Sequence, residues 1–288
     1  MKTVYQSVWM ILLLGASALA QEAPYFVTYD HHLEEPGNLE ITIANTGGLA
    51  RADQRTYFAP YIELEYGTKA WWSSELYLEW QSRLGDSTIF TGWRFENRFR
   101  PLAREHRINP ILYLEYENIN EASRIQKEIV GNAGEIGVPN AELQQTAAHE
   151  LEGKLILSSN THNWNIAENF IVEKNLSGEE GLEFGYSVGV SRPLATLASA
   201  TNCRFCRENF VGGLELYGGL GSSRGFGLHD TAHYLAPVIS WQVSDNSSIH
   251  FSPSIGLTHG SDPLLIRFSY TYEVRDFGSK VASLFGRR

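Results

Sequence analysis

Beyond its first twenty residues the chain has no run of about 18 apolar residues, the length a membrane-spanning helix needs. Helical membrane proteins are thereby excluded. Positive charge is also short: 23 Lys and Arg stand against 33 Asp and Glu. Residues 1–20 hold one lysine and no acid, so without them the formal charge is 22 − 33 = −11. Phosphate backbones need a basic surface, which makes nucleic acid an unexpected partner. Docking of a basic face onto anionic lipid fails on the same count. Methionine and cysteine number two each, and helical periodicity is scarce after residue 20.

The first twenty residues read as an export signal. Met1-Lys2-Thr3 is a short positive start, Val8 to Leu14 an apolar core, and Ala18-Leu19-Ala20 a small-x-small cleavage site. The mature chain is expected to begin at Gln21. An exported chain without a spanning helix is soluble in the periplasm, released, or a membrane barrel.

What the sequence has in quantity favours the barrel. Aromatics make up 12% of the chain, with 7 Trp and 14 Tyr, and Gly numbers 26. Trp and Tyr form the interfacial girdles of membrane barrels. Period-2 alternation, the signature of half-buried strands, recurs along the whole mature chain. In Leu264 to Val274, the residues Ile266, Phe268, Tyr270, Tyr272 and Val274 share one face, and Arg267, Ser269, Thr271 and Glu273 the other. Gly181 to Ser191, Ser248 to Thr258 and Tyr61 to Tyr66 repeat the pattern. Twelve segments result: 38–46, 55–66, 70–81, 87–98, 108–118, 149–159, 163–174, 180–191, 207–219, 231–242, 247–257 and 263–274. Many approach the ~9–11 residues of a tilted membrane strand, where sandwich strands run nearer ~5–6. Charge also lies deep in the strands: Arg94, Glu96 and Arg98 on one, Glu115 and Glu117 on another. The predicted fold is all-β, a single antiparallel transmembrane barrel of about 12 strands over 38–274. A soluble β-sandwich is the alternative fold.

Loop lengths follow the parity of such a barrel, with short turns at one end and longer loops at the other. With the first strand running outward, Gly67-Thr68-Lys69, Asn160-Thr161-His162 and Ser244-Asp245-Asn246 are tight periplasmic turns. The longest connection, Ile119 to His149, then lies outside, with helix-prone stretches at Asn120 to Val130 and Asn140 to His149. Two long connections, Phe99 to Arg107 and Arg192 to Cys206, break the rule. Both begin at or next to an Arg-Pro-Leu-Ala tetrapeptide, Arg100 to Ala103 and Arg192 to Ala195. Residues 21–37 are open to three readings: the start of the first strand, an extra strand, or a plug in the lumen. Residues 275–288 form a tail with Phe277, Val281, Leu284 and Phe285 at roughly helical spacing, which suggests a short periplasmic helix.

The Tyr-rich strands with Glu on alternate positions, Tyr61-Ile62-Glu63-Leu64-Glu65-Tyr66 and Ile111-Leu112-Tyr113-Leu114-Glu115-Tyr116-Glu117, resemble those of bacterial outer-membrane β-barrels, in particular porin- or transporter-like ones. The resemblance is one of pattern over nearly the whole mature chain, and it transfers no functional residue. It implies residence in the outer membrane of a Gram-negative bacterium, outer-membrane lipid as partner, and transport of small ions or solutes.

Several side chains are candidates for chemistry. Glu63, Glu65, Glu75, Glu79, Arg94, Glu96, Arg98, Glu115, Glu117, Glu152 and Lys154 fall on the inner faces of neighbouring strands. Two readings stand side by side. One is an acidic pathway that favours cations; the other is a lumen closed by Glu–Arg pairs, since about twelve strands enclose little space. For Cys203-Arg204-Phe205-Cys206 a small disulfide loop is the simplest reading in an oxidising compartment. Haem attachment would need His after the second Cys, where Arg207 stands, and zinc would need two further ligands. His31-His32 with Glu34 and Glu35 offers imidazole and carboxylate to a transition metal, against the simpler reading of a polar terminal segment. His250-Phe251-Ser252 puts an imidazole and a hydroxyl on one strand face, as a lipid hydrolase would need, but Pro253 follows and no third group orients the His. No cofactor, no resident metal and no catalytic residue is expected. The predicted function is a narrow channel or transporter-like barrel with a charged, acidic-rich lumen. A lipid hydrolase built on His250 and Ser252, or a non-conducting structural or adhesion barrel, is the alternative.

Overall fold

The structure, a computed structural model, describes residues 23–49, 56–123, 139–179, 181–197, 199, 203–228 and 231–286. The expected signal peptide lies outside them, as does most of the helix-prone stretch up to Val130.

Twelve long antiparallel strands close on themselves. They are β1 (Leu39–Leu49), β2 (Tyr57–Lys69), β3 (Trp72–Arg83), β4 (Thr88–Phe99), β5 (Asn109–Asn120), β6 (Ala147–Thr161), β7 (Trp164–Asn175), β8 (Glu183–Pro193), β9 (Phe210–Ser222), β11 (His233–Ser244), β12 (Ser247–Gly256) and β13 (Leu264–Val274). A two-residue strand, β10 (Gly225–Phe226), folds back on β9 and adds nothing to the wall. Each wall strand pairs with its sequence neighbours, and β13 pairs with β1 to shut the barrel. Among the described residues no helix is long and apolar enough to cross a membrane.

Alternation explains why the strands close this way. Outward positions carry exposed apolar side chains, among them Ile43, Phe95, Leu112, Leu114, Phe170 and Phe268. Inward positions are buried and largely polar or charged. That inversion of a soluble protein suits a lipid-facing wall. Aromatic residues gather at both rims: Trp71, Trp72 and Phe99 stack at the end that carries the termini, and Trp80 with Phe90 and Trp93 with Tyr116 at the other. Trp72 and Trp80 are eight residues apart on one strand, about 27 Å at strand rise and about 19–22 Å across the membrane after a tilt of about 35–45°, slightly less than the apolar band of about 25 Å.

The termini end holds the tight turns. Between β6 and β7 His162 and Asn163 have φ of 50° and 63°, the paired left-handed residues of a two-residue hairpin. In β4, Gly92 (φ 148°) sits opposite a register break in β3, and a Cβ there would stand 2.2 Å from the Asn118 carbonyl oxygen. At the other end, the expected helix over Asn140 to His149 is one turn only, α1 (Asn140–Leu143). Residue 147 onward joins β6 instead, because Ala147 and Ala148 pair with Asn120 and Ile119. The tail forms α2 (Phe277–Phe285), held to the wall by Tyr66 against Phe277 and by the Gly278 amide donating to the Gly37 carbonyl at 2.9 Å.

One outward residue does not match its face. Glu168 is exposed between Ile166 and Phe170 on β7 and lies opposite Leu157 and Val188 on the flanking strands. A carboxylate facing hydrocarbon is unfavourable, though less so than Arg or Lys. Glu168→Leu is expected to stabilise the barrel in liposomes by about 1–2 kcal/mol, read as a higher urea midpoint. A lower midpoint would mean that this face does not meet lipid.

Candidate functional site: the barrel interior

The wall registers bring glutamates into line. Glu273, Glu40, Glu65, Glu75, Glu96, Glu115, Glu152, Glu173 and Glu183 stand directly opposite one another from β13 through β1 to β8. All share the inward parity. Glu273 and Glu40 lie at the termini end of their strands, while Glu173 and Glu183 lie at the opposite end. The row therefore climbs round the wall from one mouth to the other, as strand tilt requires. Like charges directly opposite destabilise a sheet, so this alignment is not a packing device.

Cations flank the middle of the row. Arg94 sends Nε to Glu79 at 2.6 Å and Nη1 to Glu115 at 2.7 Å. Arg98 reaches Glu65 at 2.6 Å, Glu96 at 3.2 Å, and also Glu75. Lys154 lies 2.8 Å from Glu152. Tyrosines complete the cluster: Tyr77 donates to Glu75 and Tyr113 to Glu115, and the Arg94 guanidinium lies 4.0 Å over the Tyr77 ring. Of the residues singled out in the sequence, Glu65, Glu75, Glu79, Arg94, Glu96, Arg98, Glu115, Glu152 and Lys154 thus fall into one connected network. Glu63 borders it, half-buried on the same face. Glu117 is fully buried beside Glu115 and Glu152.

The segment before β1 runs through this interior. Glu215, which the sequence reading passed over, accepts three successive backbone amides: Phe26 N at 3.1 Å, Val27 N at 2.9 Å and Thr28 N at 2.8 Å. Asn169 brackets Tyr29, accepting its amide at 2.7 Å and donating to its carbonyl at 2.8 Å. The Tyr29 hydroxyl donates to Glu96 at 3.1 Å, and both Arg98 and Lys154 lie over its ring. Tyr25 donates to Asn165 at 3.1 Å on one side of the barrel. Val27 packs with Tyr57, Tyr217, Tyr234 and Leu265. The return is fixed at β2, where the Glu34 amide donates to Glu65 at 3.2 Å and the Gly37 amide to the Gly67 carbonyl at 2.7 Å. Gly67 must be glycine, because a Cβ there would stand 2.0 Å from the Glu35 carbonyl oxygen. Alternation could have flagged Glu215, which sits between Leu214 and Leu216; nothing local in the sequence shows that its partner is the chain's own beginning.

The remaining candidates are placed as follows. His31 and His32 stack at 4.4 Å, but the carboxylates beside them are Asp30 and, 3.5 Å from His31 Nε2, Glu105, not Glu34 or Glu35. His32 Nδ1 lies 2.8 Å from Asp30, and His31 Nδ1 meets the Ser158 hydroxyl. Burial, together with the neighbouring His32, pushes the His31 imidazole below its ordinary pKa. Burial works against the Asp30 carboxylate, but hydrogen bonding to His32 outweighs it and holds Asp30 low. His250 contacts Phe26 edge-on and lies 3.3 Å from the Ser248 hydroxyl; the Ser252 hydroxyl is buried without a hydrogen-bond partner among the described residues. No hydrogen bond joins His250 to Ser252, so the geometry of an activated serine is missing. A disulfide joins Cys203 to Cys206, and Trp241 anchors that loop through Nε1 to the Arg204 carbonyl at 2.8 Å.

A cavity of about 180 Å³ remains between the leading segment and the wall. Glu40, Glu63 and Glu65 line it, with Arg94, Arg98 and Arg267 facing them.

No protein-family model matches the sequence, and no curated protein matches it. Solved structures do. The NanC porin superposes with a TM-score of 0.50 at 10% identity, over 82% of this chain and 100% of that one. An outer membrane channel from Pseudomonas putida F1 superposes with a TM-score of 0.54 at 11% identity, over 87% and 100%. The fold is that of an outer-membrane β-barrel. At such identity the likeness concerns the architecture, and both solved barrels are covered end to end.

Proposed function

We propose that this outer-membrane-type barrel is a narrow channel for small cations, residing in the outer membrane of a Gram-negative bacterium, with its leading segment seated in the lumen. The observation that carries this is the row of nine inward glutamates that runs in register from one mouth to the other. Lined-up carboxylates lower the energy of a cation at each step and oppose an anion. Arg94, Arg98 and Lys154 balance the centre, where the leading segment crosses, and the acidic excess falls towards the two ends. The cavity beside the segment has room for on the order of ten waters, which suits hydrated ions rather than bulky solutes.

The test is planar-bilayer conductance of the refolded mature chain under a potassium chloride gradient. Small, steady, cation-selective steps are expected. Anion selectivity would reject the reading, as would silence from protein shown to be folded and inserted.

A further inference from the structure

Where β5, β6 and β7 approach the end with the longest loop, acidic side chains outnumber the cations beside them. Glu115 faces Glu152, which faces Glu173; one row on, Glu117 faces Glu150. Arg94 is engaged with Glu79 and Glu115, and Lys154 with Glu152. Glu117 is fully buried at 0% exposure, and neither of its carboxylate oxygens has a hydrogen-bond partner among the described residues. One oxygen of Glu173, itself 7% exposed, is likewise buried without a partner. A buried carboxylate left in this way is costly unless something positive meets it.

The oxygens converge. One from each of Glu117, Glu150 and Glu173 lie within 4.8 Å of one another, and Glu117 belongs equally to a second such group with Glu115 and Glu152. Carboxylates alone, without imidazole or thiolate, select hard cations. Calcium binds oxygen at about 2.3–2.6 Å, so ligands across the ion stand up to about 5 Å apart; for magnesium the limit is about 4.2 Å. Oxygens within 4.8 Å of one another admit either ion, but magnesium demands a near-ideal octahedron and gives up its waters reluctantly, so a buried cluster made of carboxylates alone suits the larger ion.

We propose that Glu117, Glu150 and Glu173 bind one calcium-sized divalent cation within the wall, with Glu117 as the central ligand. The ion ties three neighbouring strands together below the longest loop, and it does so whether or not the lumen conducts.

The experiment is calorimetric titration of calcium chloride into the full mature chain, refolded, stripped with chelator and held at neutral pH. One saturable site is expected, together with a higher thermal transition in calcium than in chelator. Glu117→Gln with Glu173→Gln should weaken binding at least tenfold, and Glu168→Gln on the outer face of β7 should leave it unchanged. If the double variant does not give the heat-resistant folded band on a gel, Glu173→Gln alone replaces it. Magnesium should bind at least tenfold more weakly. Absence of saturable calcium binding by the wild type would overturn the site and mean that the carboxyls share protons instead. Binding that survives in the variant would place the ion elsewhere, and equal affinity for magnesium would overturn the calcium-sized assignment.

Discussion

A chain lacking residues 23–36 is expected to conduct severalfold better than the intact protein, in larger and noisier steps. The leading segment crosses the interior from Asn165 on β7, past Glu215 on β9, to Glu96 on β4 and back to Glu65 on β2. A cavity of about 180 Å³ lies beside it. Without it, Glu215 loses three amide donors and Asn169 loses both its bonds to Tyr29. In the shortened chain those groups face water, which can satisfy them, so the wall survives while the lumen widens. Single-channel recording checks this, with circular dichroism confirming strand content. Glu215→Gln keeps the segment but weakens its hold, and should show brief visits to the larger conductance. Identical steps from the shortened and intact chains would mean that ions bypass the segment altogether.

Arg98→Ala is expected to cost the folded barrel about 3–5 kcal/mol, the scale for removing one partner of a buried ion cluster. Arg98 is 7% exposed and stands among Glu65, Glu75 and Glu96, each 6% exposed or less. Its loss leaves three carboxylates without their shared cation. Arg98→Lys keeps the charge but not the planar fork that reaches several acids at once, so its loss should be intermediate. Urea unfolding from liposomes gives both values. A cost below about 1 kcal/mol for Arg98→Ala would show that the cluster is hydrated like a surface pair, and the network would then contribute little to stability.

The wall was readable because membrane strands repeat one rule over many residues. Alternation in 263–274 corresponds almost residue for residue to β13 (Leu264–Val274), and the charged face of Arg94, Glu96 and Arg98 is buried inward. Partnerships were not readable, because they depend on register between strands distant in sequence. Nothing near Glu40 announces that Glu65 and Glu273 will stand beside it. Glu150, Glu173, Glu215 and Arg267 were passed over for the same reason: each is an ordinary polar position in an alternating strand until its neighbours are known. The expected helix over Asn140 to His149 shrank to one turn because pairing with β5 outweighed local propensity at Ala147 and Ala148.

The seam between β1 and β13 joins the two ends of the chain, from Leu39 with Val274 to Leu49 with Leu264. Contacts so far apart in sequence bear the largest loop-closure cost and form late. The leading segment is continuous with β1 and is pinned beside that seam, with Asn38 donating to Glu273 at 2.5 Å. A segment held on so many sides and continuous with β1 is expected to dock as the barrel closes rather than afterwards. The lumen is then filled in the same step that shuts the last gap in the wall.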